Sequence, residues 1–206
     1  MTSDVFLEQL REIKKLYVEV KGAIVLAEKF DPEDETYISQ INELRNTLDH
    51  IMRALEFTDR SEHELNEAKE HLYRAGYDTY EILATNLTLK ISGALNTYRK
   101  ETISTVYPRY YDVIRPELIQ IRTAIADLRA NKNIDPATNN KTFSEYFECC
   151  DQLIQFLMET EQAQNDLIKG EEEYVKSKNA ETVRTIIITA VSVLVTFALT
   201  YFFISN

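Results

Sequence analysis

The sequence predicts an all-α protein, with an up-and-down bundle of four to five long helices followed by a C-terminal single-pass transmembrane helix. Three observations support this prediction. Apolar residues recur at spacings of three and four along most of the chain, which is the period of one helix face. Only four glycines and four prolines occur in 206 residues, which leaves little material for the turns of a sheet. Residues 185–204 carry no charge, no proline and no glycine.

The first two predicted helices are separated by Asp31-Pro32. Helix one begins at Ser3 or Asp4, either of which suits an N-cap, and ends at this dipeptide. Helix two covers residues 33–57. The periodic residues of helix one, which should face the core, are Phe6, Leu10, Ile13, Tyr17, Val20, Ile24 and Ala27. Those of helix two are Ile38, Ile41, Leu44, Leu48, Ile51 and Leu55.

A short turn at residues 58–61 leads to helix three. Ser61 and Glu64 are three apart, which is the spacing of a capping box. Because helices joined by so short a link are neighbours, helices two and three should be antiparallel. Apolar residues at helical spacing continue to residue 106, and we expect a bend at Gly76 or Gly93 in so long a helix.

The sequence of the second half of the body predicts two more helices. A short helical or irregular piece at residues 108–115 precedes helix four, residues 116–130, and the Asn-rich residues 131–140 form the clearest loop. Helix five begins near Thr142, and the sequence leaves open whether it is broken at Gly170 or continues into the membrane. Its predicted inward residues are Phe143, Tyr146, Phe147, Cys150, Ile154, Leu157 and Leu167.

The chain divides into a helical body (1–168), a stalk (169–184) and a membrane anchor (185–204). The anchor's twenty residues reach about 30 Å as a helix, the thickness of the bilayer's hydrocarbon core. Basic residues stay on the cytoplasmic side of a span. Four of them precede the anchor: Lys169, Lys176, Lys178 and Arg184. We therefore expect a tail-anchored protein whose N-terminal body lies in the cytoplasm.

Composition narrows the classes of function. The chain has 23 basic and 34 acidic side chains, a net charge of −11, which disfavours broad binding to nucleic acids or anionic lipid headgroups. Its two cysteines, Cys149 and Cys150, are adjacent, so a disulfide between them would strain the backbone. We expect both to be reduced, one in the core and one near the surface.

One stretch of helix two carries a candidate catalytic motif. Arg45-Asn46, followed by His50, resembles the R-N-x-x-x-H signature of HEPN-like proteins, helical bundles many of which cleave RNA without metal as dimers. The resemblance implies that His50 helps to activate a ribose 2′-hydroxyl or to protonate the leaving oxygen. It also implies that Arg45 steadies the phosphate and that Asn46 supports the geometry.

The same residues also permit a structural interpretation. Arg45 and Asp49 are four apart, as are Asp49 and Arg53, which is the spacing of a ladder of ordinary surface ion pairs. Arg45 and His50 lie about 140° apart around one helix. If helices two and three are antiparallel, His50 lies level with His71, and Arg45 with Arg74. These groups, with Asp49 and Asp78, then form either a polar seam between two helices or a site.

No metal or cofactor is expected from sequence patterns. Carboxylate-bridged di-iron bundles need Glu-x-x-His, but the nearest approach is Glu67-x-x-x-His71. Neither a Gly-rich phosphate loop nor a nucleophile elbow occurs. Tyr73, Tyr77 and Tyr80 share a stripe of helix three among acidic neighbours, which favours an aromatic seam over a base-stacking surface.

The anchor carries a hydroxyl stripe whose members fall within an arc of about 80° on a helix. They are Thr185, Thr189, Ser192, Thr196 and Thr200. Small hydroxylated residues let membrane helices approach closely, so the stripe is a candidate seam for a homo-oligomer. The alternative is that these hydroxyls bond back to their own helix.

Two functional hypotheses follow from the sequence. The first is a protein-interaction, sensor or effector module, whose partners are the lipid bilayer, further copies of itself and possible protein partners. The second is a membrane-tethered, metal-independent HEPN-like ribonuclease, for which RNA would be the substrate.

Overall fold

The computed structural model describes residues 3–31, 37–57, 59–130 and 136–204, with backbone alone at 136–140 and 197–204. The all-α prediction is confirmed, since the described residues form six α-helices and no strand. The helices are α1 (Ser3–Phe30), α2 (Ile38–Glu56), α3 (Ser61–Leu95), α4 (Lys100–Val106), α5 (Arg115–Ala130) and α6 (Pro136–Ile204).

Helix α3 is the centre of the packing and contacts α1, α2 and α6. Leu65, Leu72, Leu83 and Leu87 of α3 are fully buried. Lys69 pairs with Glu12 of α1, and Asn86 further along α3 bonds Tyr37 just beyond α1, so α1 runs parallel to α3.

The other two neighbours of α3 run in opposite directions. Along α2 the partners come in reverse order, because Glu43 meets His71 and His50 meets Glu64, so α2 and α3 are antiparallel as predicted. Along α6 the partners come in the same order as the residues of α3, since Gly76 lies against Phe143 and the Tyr80 carbonyl accepts a hydrogen bond from Cys150. Helix α6 therefore runs parallel to α3.

The packed face of α2 is only partly the predicted one, since Leu44 and Ile51 pack half-buried against the core as expected. Gln40, Thr47 and Ala54 are buried, whereas Ile38, Ile41, Leu48 and Leu55, which were expected to face the core, are exposed. The three buried residues recur every seventh position and are not large aliphatic side chains. They let α2 approach α3 closely, and the Thr47 hydroxyl lies 3.5 Å from the Ala68 carbonyl oxygen. The prediction for these four residues was wrong.

The capping box at the start of α3 is also absent. The helix begins at Ser61 with Arg60 as N-cap, and no side chain caps it. The Glu64 carboxylate instead bonds the His50 ring across the α2–α3 interface, so it does not reach back to the helix end.

Helix α3 ends at Leu95, shortly after Gly93, and not at residue 106. The chain turns at residues 96–99, and α4 lies against α6, where Thr102 donates a hydrogen bond to Glu171. A π-helical turn, Tyr110–Ile114, then leads directly into α5. Pro116 has no N–H to give to the preceding turn, and the Arg115 N–H bonds the Tyr110 carbonyl, which is the longer π spacing.

Helix α6 is longer than predicted and passes Gly170 without a break. It includes residues 136–140, which were expected in a loop, whereas residues 131–135 lie outside the described residues. A Cβ at Gly170 would stand 2.7 Å from the Val106 side chain, so this glycine lets α4 pack on α6. Phe147 was expected to face the core but is exposed.

The last third of α6 leaves the body. Every described side chain from residue 175 to 196 is exposed, including Ile186, Ile187, Ile188, Val193 and Leu194. By length and composition, α6 is the one helix among the described residues that can cross a membrane. The described part of the apolar segment is thus not folded into the body.

Candidate functional site

The first candidate site is an open groove between α1 and α2, with a volume of about 440 Å³. It is mainly apolar. Its lining residues, which we call the α1–α2 groove, are Leu10, Ile13, Lys14, Tyr17, Ile41, Leu44, Arg45, Thr47, Leu48 and Ile51. Sequence reasoning missed this groove, because it expected the apolar residues of α2 to be covered by the core.

Apolar side chains of α2 extend the groove along its outer wall. We call them the α2 stripe: Ile38, Ile41, Leu48, Met52 and Leu55, between 40% and 67% exposed. With Arg45 they follow one another at spacings of three, four, three, four and three. Alternating three and four is the pattern of a seam that packs against another helix. This spacing is visible in the sequence and is the signal that identifies the stripe.

The groove differs in charge from the rest of the molecule. Lys14 and Arg45 are the charged residues among its ten lining side chains, and no acidic residue lines it. The whole chain has a net charge of −11. The groove is therefore apolar and carries two basic side chains, although the protein as a whole is acidic.

The three residues of the HEPN-like motif do not converge within the chain. Arg45 and Asn46 are exposed, and the Arg45 guanidinium lies 3.4 Å from the Asn42 side-chain oxygen. His50 points toward α3, where its Nδ1 lies 2.8 Å from Glu64 Oε2. Arg45 belongs to the groove and His50 to the helix interface, so Arg45 and His50 of one chain do not share a site.

A second candidate site is the histidine pair between α2 and α3. The His50 and His71 rings stack with centroids 5.0 Å apart, as the antiparallel register predicts. His71 Nδ1 lies 2.6 Å from Glu43 Oε2, so each histidine bonds a glutamate of the opposite helix. Both imidazoles are largely buried, with 14% and 12% of their side-chain surfaces exposed.

The electrostatics of this pair are dominated by carboxylates. The hydrogen bond from His50 holds the pKa of Glu64 below its usual value, and Arg53, 3.9 Å from the same carboxylate, acts in the same direction. Glu67 also lies beside the two histidines. Sequence reasoning found both histidines but missed the glutamates, because helix register alone does not show which carboxylate reaches them.

The other residues of the expected polar cluster lie elsewhere. Asp49 is exposed on α2. Arg74 bonds Glu70 on its own helix, and Asp78 is half-buried one turn further along α3. Arg74 therefore does not meet Arg45 in a shared site.

The tyrosine stripe of α3 is an aromatic seam, as predicted. Tyr73, Tyr77 and Tyr80 are buried around Phe143 of α6, with ring centroids 5.1–6.2 Å from it. Burial raises the pKa of all three phenols. The seam is part of the core and is not available for stacking on bases.

The two cysteines differ in burial, as expected. Cys150 is 1% exposed, and burial raises the pKa of its thiol to about 12. Cys149 is half-buried, and partial burial with the nearby Glu148 and Glu145 raises its pKa as well. Neither thiol has the lowered pKa that marks a reactive cysteine.

The hydroxyl stripe of the anchor bonds to its own helix where side chains are described. Thr185, Thr189, Ser192 and Thr196 each donate a 2.9 Å hydrogen bond to the carbonyl four residues earlier. Thr200 lies beyond the described side chains. This is the back-bonding alternative that the sequence left open, and association through the stripe stays a prediction.

Comparison of the chain with protein-family models, curated proteins and solved structures finds no match. The resemblance to HEPN-like proteins therefore stays a prediction that rests on Arg45, Asn46 and His50.

Proposed function

We propose that this protein is a membrane-held interaction module whose helical body binds an amphipathic helix of a partner protein. The binding surface is the α1–α2 groove together with the α2 stripe. The observation that carries the proposal is the exposure of five large apolar side chains in one helical row, which Arg45 interrupts once. An exposed apolar surface of this kind, edged by charged residues, is typical of a protein-interaction site.

The spacing of the stripe favours a helix as the bound element. A helix that binds in a groove places its apolar anchors at i, i+3, i+4 and i+7. The alternating spacings of three and four in the stripe, over the whole length of α2, are those of a surface that packs against such a helix. An extended peptide would instead need an exposed sheet edge, and the described residues contain no strand.

Charge favours an acidic partner helix over a second copy of this chain. Helix α2 runs opposite to α3 and therefore to α6. Two copies in one membrane would thus have parallel α2 helices. A symmetric contact between these helices would place the two copies of Arg45 against each other. Like charges at a seam disfavour pairing. A partner helix with Glu or Asp beside its apolar residues would instead meet Lys14 and Arg45.

The membrane part of the proposal rests on the end of α6. Exposed isoleucine, valine and leucine side chains along residues 186–195 have no protein cover in the described structure, and lipid would supply it. We propose that this segment spans the bilayer and that the body lies on the cytoplasmic side. Lys169, Lys176, Lys178 and Arg184 precede the span and support this orientation.

A pair of designed peptides tests the binding surface on the full-length protein in detergent micelles. Both are amphipathic helices with leucine at heptad spacing; one carries glutamate at the flanking positions and the other lysine. Fluorescence anisotropy should show that the glutamate peptide binds at least about tenfold more tightly, which corresponds to about 1.4 kcal/mol. Lys14→Glu combined with Arg45→Glu should reverse this preference.

A matched pair of variants locates the binding. Leu48→Asp places a charge in the α2 stripe and should abolish binding of the glutamate peptide. Ile119→Asp changes an equally exposed residue of α5, outside the groove, and should leave binding unchanged. Binding that is equal for both peptides, or unaffected by Leu48→Asp, would refute the proposal. Dimers in analytical ultracentrifugation that dissociate on Leu48→Asp would show that a second copy occupies the groove.

A further inference from the structure

We propose that the α2–α3 interface holds a divalent transition-metal ion, with His50, Glu67 and His71 as its protein ligands. One ligand atom from each of these residues lies within 4.8 Å of the other two. Two imidazoles and one carboxylate form a ligand set that binds zinc and leaves a further coordination position open. This site lies on the side of α2 that faces α3 and is separate from the α1–α2 groove.

The distances permit an ion after small side-chain movements. Zinc binds histidine nitrogen at about 2.0–2.1 Å and carboxylate oxygen at about 2.0–2.2 Å. Neighbouring ligand atoms of a tetrahedral site are therefore about 3.4 Å apart by the same bond lengths. Relative to the 4.8 Å limit, each pair of ligand atoms needs to draw together by about 1.4 Å, and the two stacked imidazoles need to rotate so that one nitrogen of each faces the same position.

The hydrogen bonds of the two rings prepare them to bind a metal. Each Nδ1 is engaged by a glutamate, His50 by Glu64 and His71 by Glu43. If Nδ1 carries the proton, Nε2 keeps its lone pair free for coordination. Metal-binding histidines usually have such a carboxylate or carbonyl partner, which fixes the ring and increases its basicity. Glu64 and Glu43 fit that supporting role.

The local charge also suits a cation. Glu43, Glu64 and Glu67 bring three carboxylates to one half-buried region, where Arg53 lies 3.9 Å from Glu64. The side chains of His50 and His71 are 14% and 12% exposed, so an ion can reach them from solvent. The sequence criterion for di-iron bundles missed this set, because Glu67 and His71 are four residues apart where that motif requires three, and His50 is on another helix.

The test uses untagged full-length protein in detergent micelles, stripped with EDTA and then returned to metal-free buffer. Calorimetric titration with Zn²⁺ should show saturable binding of one ion per chain, and Co²⁺ should give the visible absorption of a low-coordinate site. Zinc should also raise the melting temperature, because it binds the folded state.

The chain offers a matched control in its third histidine, His63, which is exposed on the same helix. His63 lies 4.0 Å from Glu67 but is not one of the three converging ligands. His63→Gln should bind Zn²⁺ like the wild type, whereas His71→Gln should lose the saturable site. Glu43→Gln should weaken binding by about 10- to 100-fold, the usual effect of removing a supporting carboxylate. Melting in EDTA checks folding, and Glu67→Gln replaces His71→Gln if the latter does not fold.

Two results would overturn the proposal. One is the absence of saturable zinc binding to the wild type. The other is equal zinc binding by His63→Gln and by His71→Gln, or by Glu67→Gln where that variant replaces His71→Gln. Equal binding would indicate adventitious contacts of zinc with surface carboxylates.

Discussion

Substitution of Gly76 tests how α3 and α6 pack against each other. A Cβ built at Gly76 would stand 2.2 Å from Phe143 Cε2, far inside the contact distance of about 3.5–4.0 Å between carbon atoms. The Phe143 ring is held among Tyr73, Tyr77 and Tyr80 and cannot swing aside freely. Gly76→Ala therefore forces the helices apart or the ring out of its position.

The magnitude follows from two opposing effects. Overpacking a core costs about 1–3 kcal/mol, and we take the upper end because the overlap exceeds 1 Å. Replacing glycine by alanine inside a helix recovers about 1 kcal/mol. The net loss is then about 2 kcal/mol, which for a chain of this size lowers the melting temperature by about 4–8 °C.

Gly22→Ala is the matched control, because no atom lies within 4 Å of a Cβ at this helical position. It should raise the melting temperature by about 2–4 °C through helix propensity alone. Circular dichroism of the full-length protein in detergent measures both variants. The double variant Gly76→Ala/Phe143→Leu should be less destabilised than the sum of its single changes, because the smaller side chain makes room for the new methyl group. A stabilising effect of Gly76→Ala would refute the contact between α3 and α6 at this position.

Two further predictions concern the thiols and the RNA hypothesis. At pH 8 a maleimide should label Cys149 slowly and Cys150 only after unfolding, because the thiolate is the reactive form and burial raises the pKa of both thiols. Mass spectrometry measures the labelling, and fast labelling of Cys150 in native protein would contradict its burial. Bulk RNA incubated with the full-length protein and EDTA should stay intact, because Arg45 and His50 lie on different sides of α2 and carboxylates surround His50. Cleavage by the wild type that is lost in His50→Ala would instead establish the ribonuclease.

The sequence predicted the helical class and most of the helix positions because periodicity and turn residues are local signals. Helix α1 ends where Asp31-Pro32 predicts, and the antiparallel turn before α3 places His50 level with His71. Local signals left the outcome open where a contact decides it. Glycine weakens a helix by about 1 kcal/mol, yet α6 continues through Gly170, where α4 packs against it.

The largest difference lies in the direction that α2 faces. An apolar row at helical spacing looks the same whether it meets the core or a partner, and α2 carries such a row opposite smaller, more polar residues. The contact with α3 uses Gln40, Thr47 and Ala54, which no hydrophobicity rule selects. The glutamates beside His50 and His71 were missed for a related reason, since they depend on the register between two helices.

The helical body can work at a membrane only if α6 holds it there, and extraction of membranes with alkaline carbonate tests this most directly. Full-length protein should remain in the membrane pellet, and a chain that ends at Arg184 should be released into the supernatant. A variant with Val191 and Leu194 both replaced by Arg should also be released, because each arginine at the centre of a span costs about 2.5–3.5 kcal/mol. Release of the unaltered full-length protein into the supernatant would contradict the membrane-held body on which the proposed function depends.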